Sequence, residues 1–262
     1  MKCYTLTVDD NIRFLAELTR DMPGSIFDHP YLALLRSLHE RDGARLQLNL
    51  FYECPGFDLS MMTDAYKDEW EECSGWLKLS FHSRLENVKP YIASGYGEVR
   101  ADIDAVNREI LRFASPSSLA KTTTVHYCQL TGEGVSALFD AGVRGLLGLY
   151  GTERAPEVSY RTSPADCERL RRGETVADGG MIYRGIDIVL NKHTVEEIAL
   201  MLTGLSSREM ISVMIHEQYF YPDYAAYQPS FGEKLEVAAS ILADRGYRSV
   251  YLEELIPPIG SV

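Results

Sequence analysis

"DAGVRGLLGLY", residues 140–150, is the stretch of the sequence that decides the fold. A helical pattern ends at Gly142 and an apolar segment follows at once, as expected for a helix closed by a left-handed glycine and continued by a strand. The same pattern occurs in "ADRGYRSVYL", residues 243–252, around Gly246. Helix, glycine and strand in this order indicate an α/β protein.

Apolar segments with strand-like alternation alternate along the chain with helical patterns. The predicted strands cover residues 3–8, 44–52, 75–81, 121–127, 143–150, 181–190, 210–216 and 248–255. The predicted helices cover residues 11–20, 30–41, 98–113, 133–141, 194–202 and 231–245. Such alternation predicts parallel strands with right-handed crossovers, and the number of units favours a barrel over an open sheet. Residues 151–180 interrupt the pattern, and we interpret them as an insertion with one short helix within a single domain, 1–262.

The composition excludes several classes of protein. Hydrophobic residues make up 45% and charged residues 24% of the chain, which excludes disordered, collagen-like and coiled-coil classes. The net charge of -12 disfavours a nucleic-acid partner. No secretory leader or membrane span is evident, so we expect a cytoplasmic protein without a membrane partner. Five cysteines without a C-x-x-C pair argue against a disulfide framework or a zinc ribbon.

Acidic and histidine side chains stand where predicted strands end, which is the edge of a barrel at which chemistry collects. They are Asp9 and Asp10 after the first strand, His82 after the third with Glu86 four residues on, His126 after the fourth, and His216 with Glu217 after the seventh. Because neighbours on a strand point to opposite sides, Asp9 and Asp10 can share a site only if the backbone turns sharply there.

Each of these residues also has a purely structural interpretation. The two aspartates could cap the following helix, and His126 could be a hydrogen-bonded core residue. We expect the segment "HSRLE", residues 82–86, to be a short helix, on which His82 and Glu86 would form an ion pair contributing about 0.3–0.5 kcal/mol. Their common position at one rim favours instead a divalent metal site with an open position, such as zinc.

An aromatic segment, "HEQYFYPDYAAYQPSF", occupies residues 216–231. Its tyrosines, among them Tyr219 and Tyr221, could stack on a sugar ring or cover the site, and packing inside the barrel mouth is an equal alternative. Glu217 could orient His216 or face solvent. These side chains are therefore candidate substrate contacts.

Several of these motifs resemble those of the polysaccharide deacetylase family, whose NodB-homology fold is a distorted (β/α)7-type barrel related to the TIM barrel. "LTVDD" (6–10) is similar to the family's T-F-D-D, and "MIH" (214–216) is similar to its closing L-x-H. "FHSRLE" (81–86) is similar to H-[ST]-x-x-H, with Glu86 in place of the second histidine. The family's R-x-P-[YF] motif is absent, and "VHYCQL" (125–130) stands in its place.

The resemblance implies a metal-dependent hydrolase that cleaves an amide C–N bond, removing an N-acetyl group from a small sugar, oligosaccharide or glycoconjugate. It implies that Asp9 is the general base, that Asp10, His82 and Glu86 bind the metal, and that His216 is the general acid. The metal would be zinc, with manganese, cobalt or nickel as alternatives, and Glu86 would favour harder ions.

Further candidates for substrate contact or an additional ligand are His126, Glu217, Tyr219 and Tyr221. The main alternative function is a deacetylase-like barrel that has lost turnover and binds carbohydrate or another protein. A third, a metal-dependent isomerase or aldolase, would need a lysine at the rim, and no predicted strand end supplies an obvious one.

Overall fold

Strands and helices alternate along the chain in the order that the sequence predicts. The computed structural model describes residues 2–86, 91–150, 160 and 162–255. The strands are β1 Cys3–Asn11, β2 Leu46–Cys54, β3 Phe57–Asp58, β4 Leu77–Leu85, β5 Thr122–Thr123, β6 Gly145–Gly148, β7 Thr175–Asp178, β8 Met181–Gly185, β9 Ile188–Val189, β10 Met210–His216 and β11 Arg248–Ser249. The helices are α1 Arg13–Asp21, α2 Pro30–Asp42, α3 Lys67–Cys73, α4 Tyr96–Phe113, α5 Gly132–Asp140, α6 Pro164–Arg171, α7 Val195–Gly204 and α8 Phe231–Asp244.

The strands form two mainly parallel sheets that together make a distorted (β/α)7-type barrel. In the first sheet, β1 lies between β2 and β10, β4 pairs with β2, β9 with β10 and β11 with β1. The second sheet has the order β5-β6-β8-β7. The two sheets meet at two points. At one, the backbone N–H of Ala120 donates to the Leu79 carbonyl at 2.9 Å, and at the other, the backbone N–H of Asp187 donates to the Ser212 carbonyl at 2.8 Å.

The register of the first sheet matters for the site. Strand β1 pairs in parallel with β10 from Cys3 to Asp9, with Asp9 opposite His216. These two residues are predicted catalytic groups from opposite ends of the chain. Parallel pairing places both at the carboxyl edge of the sheet, where the sequence predicts the chemistry.

Both glycine-linked helix ends are confirmed. Gly142 has φ +98° after α5 and Gly246 has φ +74° after α8. A side chain at either position would strain the backbone, whereas glycine adopts positive φ freely. The peptide N–H of Val143, which follows the first of these turns, donates to the Leu138 carbonyl at 3.0 Å and fixes the entry into β6.

The predicted short helix after His82 is wrong. Strand β4 continues through Leu85, because it pairs with β2 as far as the partners Glu53 and Leu85. His82 therefore lies inside a strand, and Glu86 follows that strand and does not stand one helical turn away.

The structure also differs from the sequence prediction in the length of several strands. The predicted strand 121–127 pairs only over Thr122–Thr123, and a 3-10 turn, His126–Cys128, follows it. The predicted strand 248–255 pairs only over Arg248–Ser249 and then becomes a 3-10 turn. Helix α3 and the antiparallel strands β3 and β7 were not predicted, because each is too short to show a clear periodicity.

The insertion contains one helix, as predicted, in the part that the structure describes. Helix α6 lies there, followed by β7, which is antiparallel to β8. Residues 151–159 and 161 of the insertion lie outside the described residues. The cysteines are free thiols, in agreement with the sequence prediction. Among the described helices, none is long and apolar enough to cross a membrane.

Candidate metal centre

Strand β1 ends in a backbone turn that brings two adjacent carboxylates to one cavity. The pairing of β1 with β2 shifts between Val8 and Asn11, and Asp10 has φ +61°, a left-handed conformation that aspartate tolerates better than most residues. Asp9 and Asp10 consequently both line a cavity of about 450 Å³ at the carboxyl end of the strands. The sharp turn that a shared site requires is therefore present.

Three side chains from three strands or strand ends converge in this cavity. The Oδ1 atom of Asp10 lies 3.0 Å from Nε2 of His82 and 3.2 Å from Nδ1 of His126. The two histidine nitrogens are 3.1 Å apart. Among the described residues, this is the group of acidic, histidine and cysteine side chains whose atoms are placed to share a metal ion.

The separations of the three atoms suit a divalent metal ion. For bonds of about 2.0–2.1 Å to nitrogen and oxygen, two ligand atoms lie about 2.9 Å apart at a right angle and about 3.4 Å apart at the tetrahedral angle. The observed distances of 3.0 to 3.2 Å lie between these limits. Two imidazoles and one carboxylate leave further coordination positions open, which is the arrangement of a catalytic site.

A second contact fixes the ring orientation of His82. Its Nδ1 lies 2.5 Å from the Thr124 carbonyl, which can only accept, so Nδ1 carries the proton. Nε2 lies 3.0 Å from Asp10 Oδ1 and donates to it when the ring is protonated, whereas a bound metal would require the lone pair of Nε2 in place of that hydrogen bond. A backbone carbonyl behind a ligating histidine is a common feature of metal sites, because it sets the tautomer and raises the basicity of the ligand.

His126 is held by aromatic packing and by an unusual backbone. The rings of Phe51 and Tyr127 lie 5.0 and 4.1 Å from its ring centre. Tyr127 and Cys128 both have positive φ, of 61° and 54°. Left-handed conformations of non-glycine residues cost free energy and are concentrated at functional sites. The Nε2 atom of His126 is buried and has no hydrogen-bond partner among the described residues.

Burial and mutual contacts shift the pKa values of the cluster. Burial disfavours the Asp10 carboxylate, yet hydrogen bonds from His126 and His82 outweigh it and hold the pKa of Asp10 well below its usual range. Burial lowers the pKa of His126. Burial lowers the pKa of His82, but the Asp9 charge and the hydrogen bond to Asp10 outweigh it and raise that pKa. Asp10 thus remains an anion and His126 tends to be neutral, which are the protonation states that bind metal, whereas His82 would lose a proton when a metal binds.

Asp9 stands beside the cluster on a network of buried polar side chains. Asn49 donates from Nδ2 to Asp9 Oδ1 at 2.6 Å. The Oδ1 of Asn49 accepts from Gln47 at 2.8 Å and from Ser80 at 2.5 Å, so its NH₂ group is the end that faces Asp9. Burial raises the pKa of Asp9 to about 6. A carboxylate with such a pKa can accept a proton near neutral pH.

His216 lines the same cavity from the end of β10. Its Nδ1 lies 2.8 Å from Oδ1 of Asn191, which can only accept, so Nδ1 carries the proton and Nε2 is left for a substrate. Burial lowers the pKa of His216, and the partner is a neutral amide and not a carboxylate. The acid role that the resemblance implies therefore has no fixed anion beside the ring.

Glu86 lies at the mouth of the cavity, apart from the three converging atoms. Glu86 is exposed and lines the cavity. The side chain that converges with Asp10 and His82 is that of His126, and not that of Glu86. The cause is the extension of β4, along which residues four apart are separated by about 13 Å. The structure therefore favours His126 over Glu86 as the third ligand.

Glu217 and Tyr221 have different positions from those we expected. Glu217 is fully buried and accepts hydrogen bonds from the backbone N–H groups of Ile12 at 2.7 Å and Phe14 at 2.8 Å, at the start of α1. The Tyr221 hydroxyl donates to the same carboxylate at 2.8 Å. The Glu217 carboxylate and the Tyr221 hydroxyl thus form their hydrogen bonds within the fold. The expectation that these two residues contact a substrate or metal is therefore wrong.

The cavity wall includes residues that the sequence analysis missed. Tyr219 and Tyr224 of the aromatic segment line the cavity, as expected, and the residues not anticipated there are Tyr127, Gln218, Asn191 and Lys192. Gln218 donates to Asp10 Oδ2 at 2.7 Å. One signal was available for Asn49, because "LQLNL", residues 46–50, places polar side chains at alternate positions of a buried strand.

Solved structures share this fold, although no protein-family model matches the chain and no curated protein matches its sequence. A 4-α-glucanotransferase from Thermococcus litoralis has a TM-score of 0.61 at 12% identity, over 99% of this chain and 41% of that one. A family 4 acetyl xylan esterase from Clostridium thermocellum, in complex with a cobalt ion, has a TM-score of 0.54 at 14% identity, and the match covers 97% of this chain and 90% of the esterase. A peptidoglycan N-acetylglucosamine deacetylase has a TM-score of 0.56 at 10% identity, and the match covers 97% of this chain and 87% of the deacetylase.

The coverage of these structures differs. This chain spans less than half of the glucanotransferase but nearly the whole of the esterase and the deacetylase. At such low identities the likeness concerns the fold. The predicted NodB-type fold of the polysaccharide deacetylases is thus confirmed, as a divergent example.

Proposed function

We propose that the protein is a metal-dependent hydrolase that removes an N-acyl group, such as acetyl, from a sugar or glycoconjugate. The observation that carries this proposal is the convergence of Asp10, His82 and His126 on one point, 3.0 to 3.2 Å from one another, in a cavity that Asp9 and His216 also line. The names of the esterase and deacetylase with the same fold, one of them bound to cobalt, support this choice.

The residues around the cavity have distinct roles in this proposal. A divalent ion held by Asp10, His82 and His126 would acidify a water molecule and polarise the acyl carbonyl. Asp9, held by Asn49, accepts the proton of the attacking water. His216 donates a proton from Nε2 to the departing nitrogen, and Asn191 keeps its ring in the required orientation. Tyr219 and Tyr224 offer rings on which a sugar can stack.

We propose zinc as the metal, because two imidazoles and one carboxylate are ligands that suit it, with manganese, cobalt and nickel as alternatives. The metal content of protein purified after supplementation with each ion tests this choice. We expect one equivalent of a divalent ion in the wild type and less than a tenth of an equivalent in Asp10→Ala.

The reaction is tested by acetate release from acetylated chitooligosaccharides with the metal-loaded protein. We expect release by the wild type and its loss, by at least a hundredfold, in Asp9→Asn with the metal retained. Exposed Asp21→Asn is the matched control. A wild type without bound metal, or an Asp9→Asn variant with full activity, would contradict the proposal.

The second candidate is a carbohydrate-binding barrel without turnover. Two observations favour it: the exposed Glu86 replaces a family histidine, and the arginine motif is absent after the fourth parallel strand. Saturable binding of acetylated sugars by metal-loaded protein, with no acetate release, would support this alternative over hydrolysis.

A further inference from the structure

Lys192 is the single permanently cationic side chain among the described residues that line the cavity. It ends the 3-10 turn Leu190–Lys192, directly after Asn191, whose side chain holds His216. The Asn191 carbonyl accepts from the side chain of Gln228 at 2.8 Å. The backbone that carries Lys192 is thus fixed next to the predicted acid.

The ammonium group of Lys192 has no hydrogen bond or ion pair with any other residue that the structure describes. Glu196 and Glu197 line an adjoining cavity together with Lys192, but both serve the start of α7. The Glu197 carboxylate accepts a hydrogen bond from the backbone N–H of Thr194 at 2.8 Å. The Glu196 carboxylate accepts from its own backbone N–H and from the side chain of Thr194, and these hydrogen bonds lower the pKa of Glu196. Glu196 and Glu197 therefore already have partners in the helix cap, and Glu233, which also lines that cavity, belongs to the first turn of α8.

The charge of Lys192 acts on His216, which lines the same cavity. Burial lowers the pKa of His216, and the Lys192 ammonium adds to that effect. Lys192 is exposed where it lines the cavity, so its charge faces the space that His216 also faces.

The rest of the site is acidic. Asp9, Asp10 and Glu86 line the cavity, and the chain as a whole carries a net charge of -12. A lysine in such surroundings would ordinarily pair with a neighbouring carboxylate. The exposed Lys192 ammonium, which has no partner within the described protein, is complementary to a ligand that supplies the anion.

We propose that Lys192 binds a carboxylate or phosphate group of the substrate, so that the protein acts on an acidic acylated sugar in preference to a neutral one. This inference rests on the proposed function, because it names the substrate class of the same site. The volume of about 450 Å³ lies within the usual range of ligand pockets and suits a single sugar with one charged substituent.

Binding of three sugars that share the acetamido group and the ring tests this proposal without requiring turnover. The probes are N-acetylglucosamine, N-acetylmuramic acid and N-acetylglucosamine 6-phosphate, titrated calorimetrically into zinc-loaded protein. We expect at least one acidic sugar to bind tenfold or more tightly than the neutral one. We expect that preference to weaken with salt, to disappear in Lys192→Gln and to persist in Lys192→Arg, with exposed Lys121→Gln as the control.

Each result decides the matter. Preference for N-acetylmuramic acid identifies a carboxylate as the group that is bound, and preference for N-acetylglucosamine 6-phosphate identifies a phosphate. Equal binding of all three sugars, binding of none, or an unchanged preference in Lys192→Gln would overturn the proposal. Failure of the proposed hydrolase function has a separate signature, namely bound metal without acetate release, and leaves the binding comparison intact.

Discussion

The Nδ1 atom of His216 lies 2.8 Å from the Oδ1 atom of Asn191, so a neutral amide holds the imidazole that we propose as the general acid. A carboxylate in that place would stabilise the charged ring, whereas an amide orients the ring without doing so. Burial keeps the pKa of His216 below its ordinary value, and the charge of Asp10 opposes this only in part.

We predict that Asn191→Asp moves the alkaline limb of the pH profile of kcat/KM to higher pH, by about one unit. A general acid must be protonated, so activity falls as the pH rises past its pKa, and a neighbouring anion raises that pKa. The half-buried Asn107, at the opposite end of the barrel, provides the control Asn107→Asp. An alkaline limb that stays in place would argue against His216 as the acid.

A second prediction separates the two candidates for the third metal ligand. We expect His126→Ala to lower the affinity for zinc by at least about tenfold, because it removes one of three converging atoms. Glu86→Gln should retain one equivalent of metal. Competition with a chromogenic chelator measures both affinities, and His193→Ala is the matched histidine control. The reverse result would assign the metal to Glu86.

The third prediction concerns stability. Glu217→Gln should lower the free energy of unfolding by about 2–3 kcal/mol, because an amide cannot replace a carboxylate that accepts from the start of α1 and from Tyr221. Urea denaturation measures the change. Glu236→Gln, at a side chain that is 44% exposed, should have little effect. A large loss of metal binding in Glu217→Gln with unchanged stability would contradict the structural role.

The fourth prediction concerns the polar network behind Asp9. Asn49→Leu should lower kcat by about tenfold to a hundredfold with little change in KM, since the base loses the group that positions it. Ser80→Ala removes a bond only on the far side of Asn49, so its effect on kcat should be smaller. Steady-state kinetics of acetate release compare the two variants, and equal effects would show that the network acts as a whole.

Much of the fold could be predicted because its signals are local. Glycine at positions 142 and 246 marks two helix-to-strand turns, and both have positive φ in the structure. Strand β4 could not be delimited in this way, since its extension to Leu85 depends on pairing with β2. Pairing between distant segments overrides the pattern within a single segment.

The site shows the same division between local and distant signals. Asp10, His82 and His126 were all candidates from their positions near predicted strand ends, but the choice between His126 and Glu86 required the path of β4. The role of Glu217 was hidden, because its partners at the start of α1 lie about two hundred residues earlier in the sequence. Lys192 was overlooked although the predicted strand 181–190 ends only two residues before it, and its place in the cavity wall corrects the expectation that no strand end supplies a lysine.

The alignment of Asp9 with His216 has a consequence for how the protein is made. Strand β1 leaves the ribosome about two hundred residues before its partner β10. Contacts of such long sequence separation form slowly, and β1 must remain unpaired on that side until β10 has emerged. The two halves of the proposed reaction centre are therefore joined only after β10 has been made, and translation products that stop before β10 lack that centre.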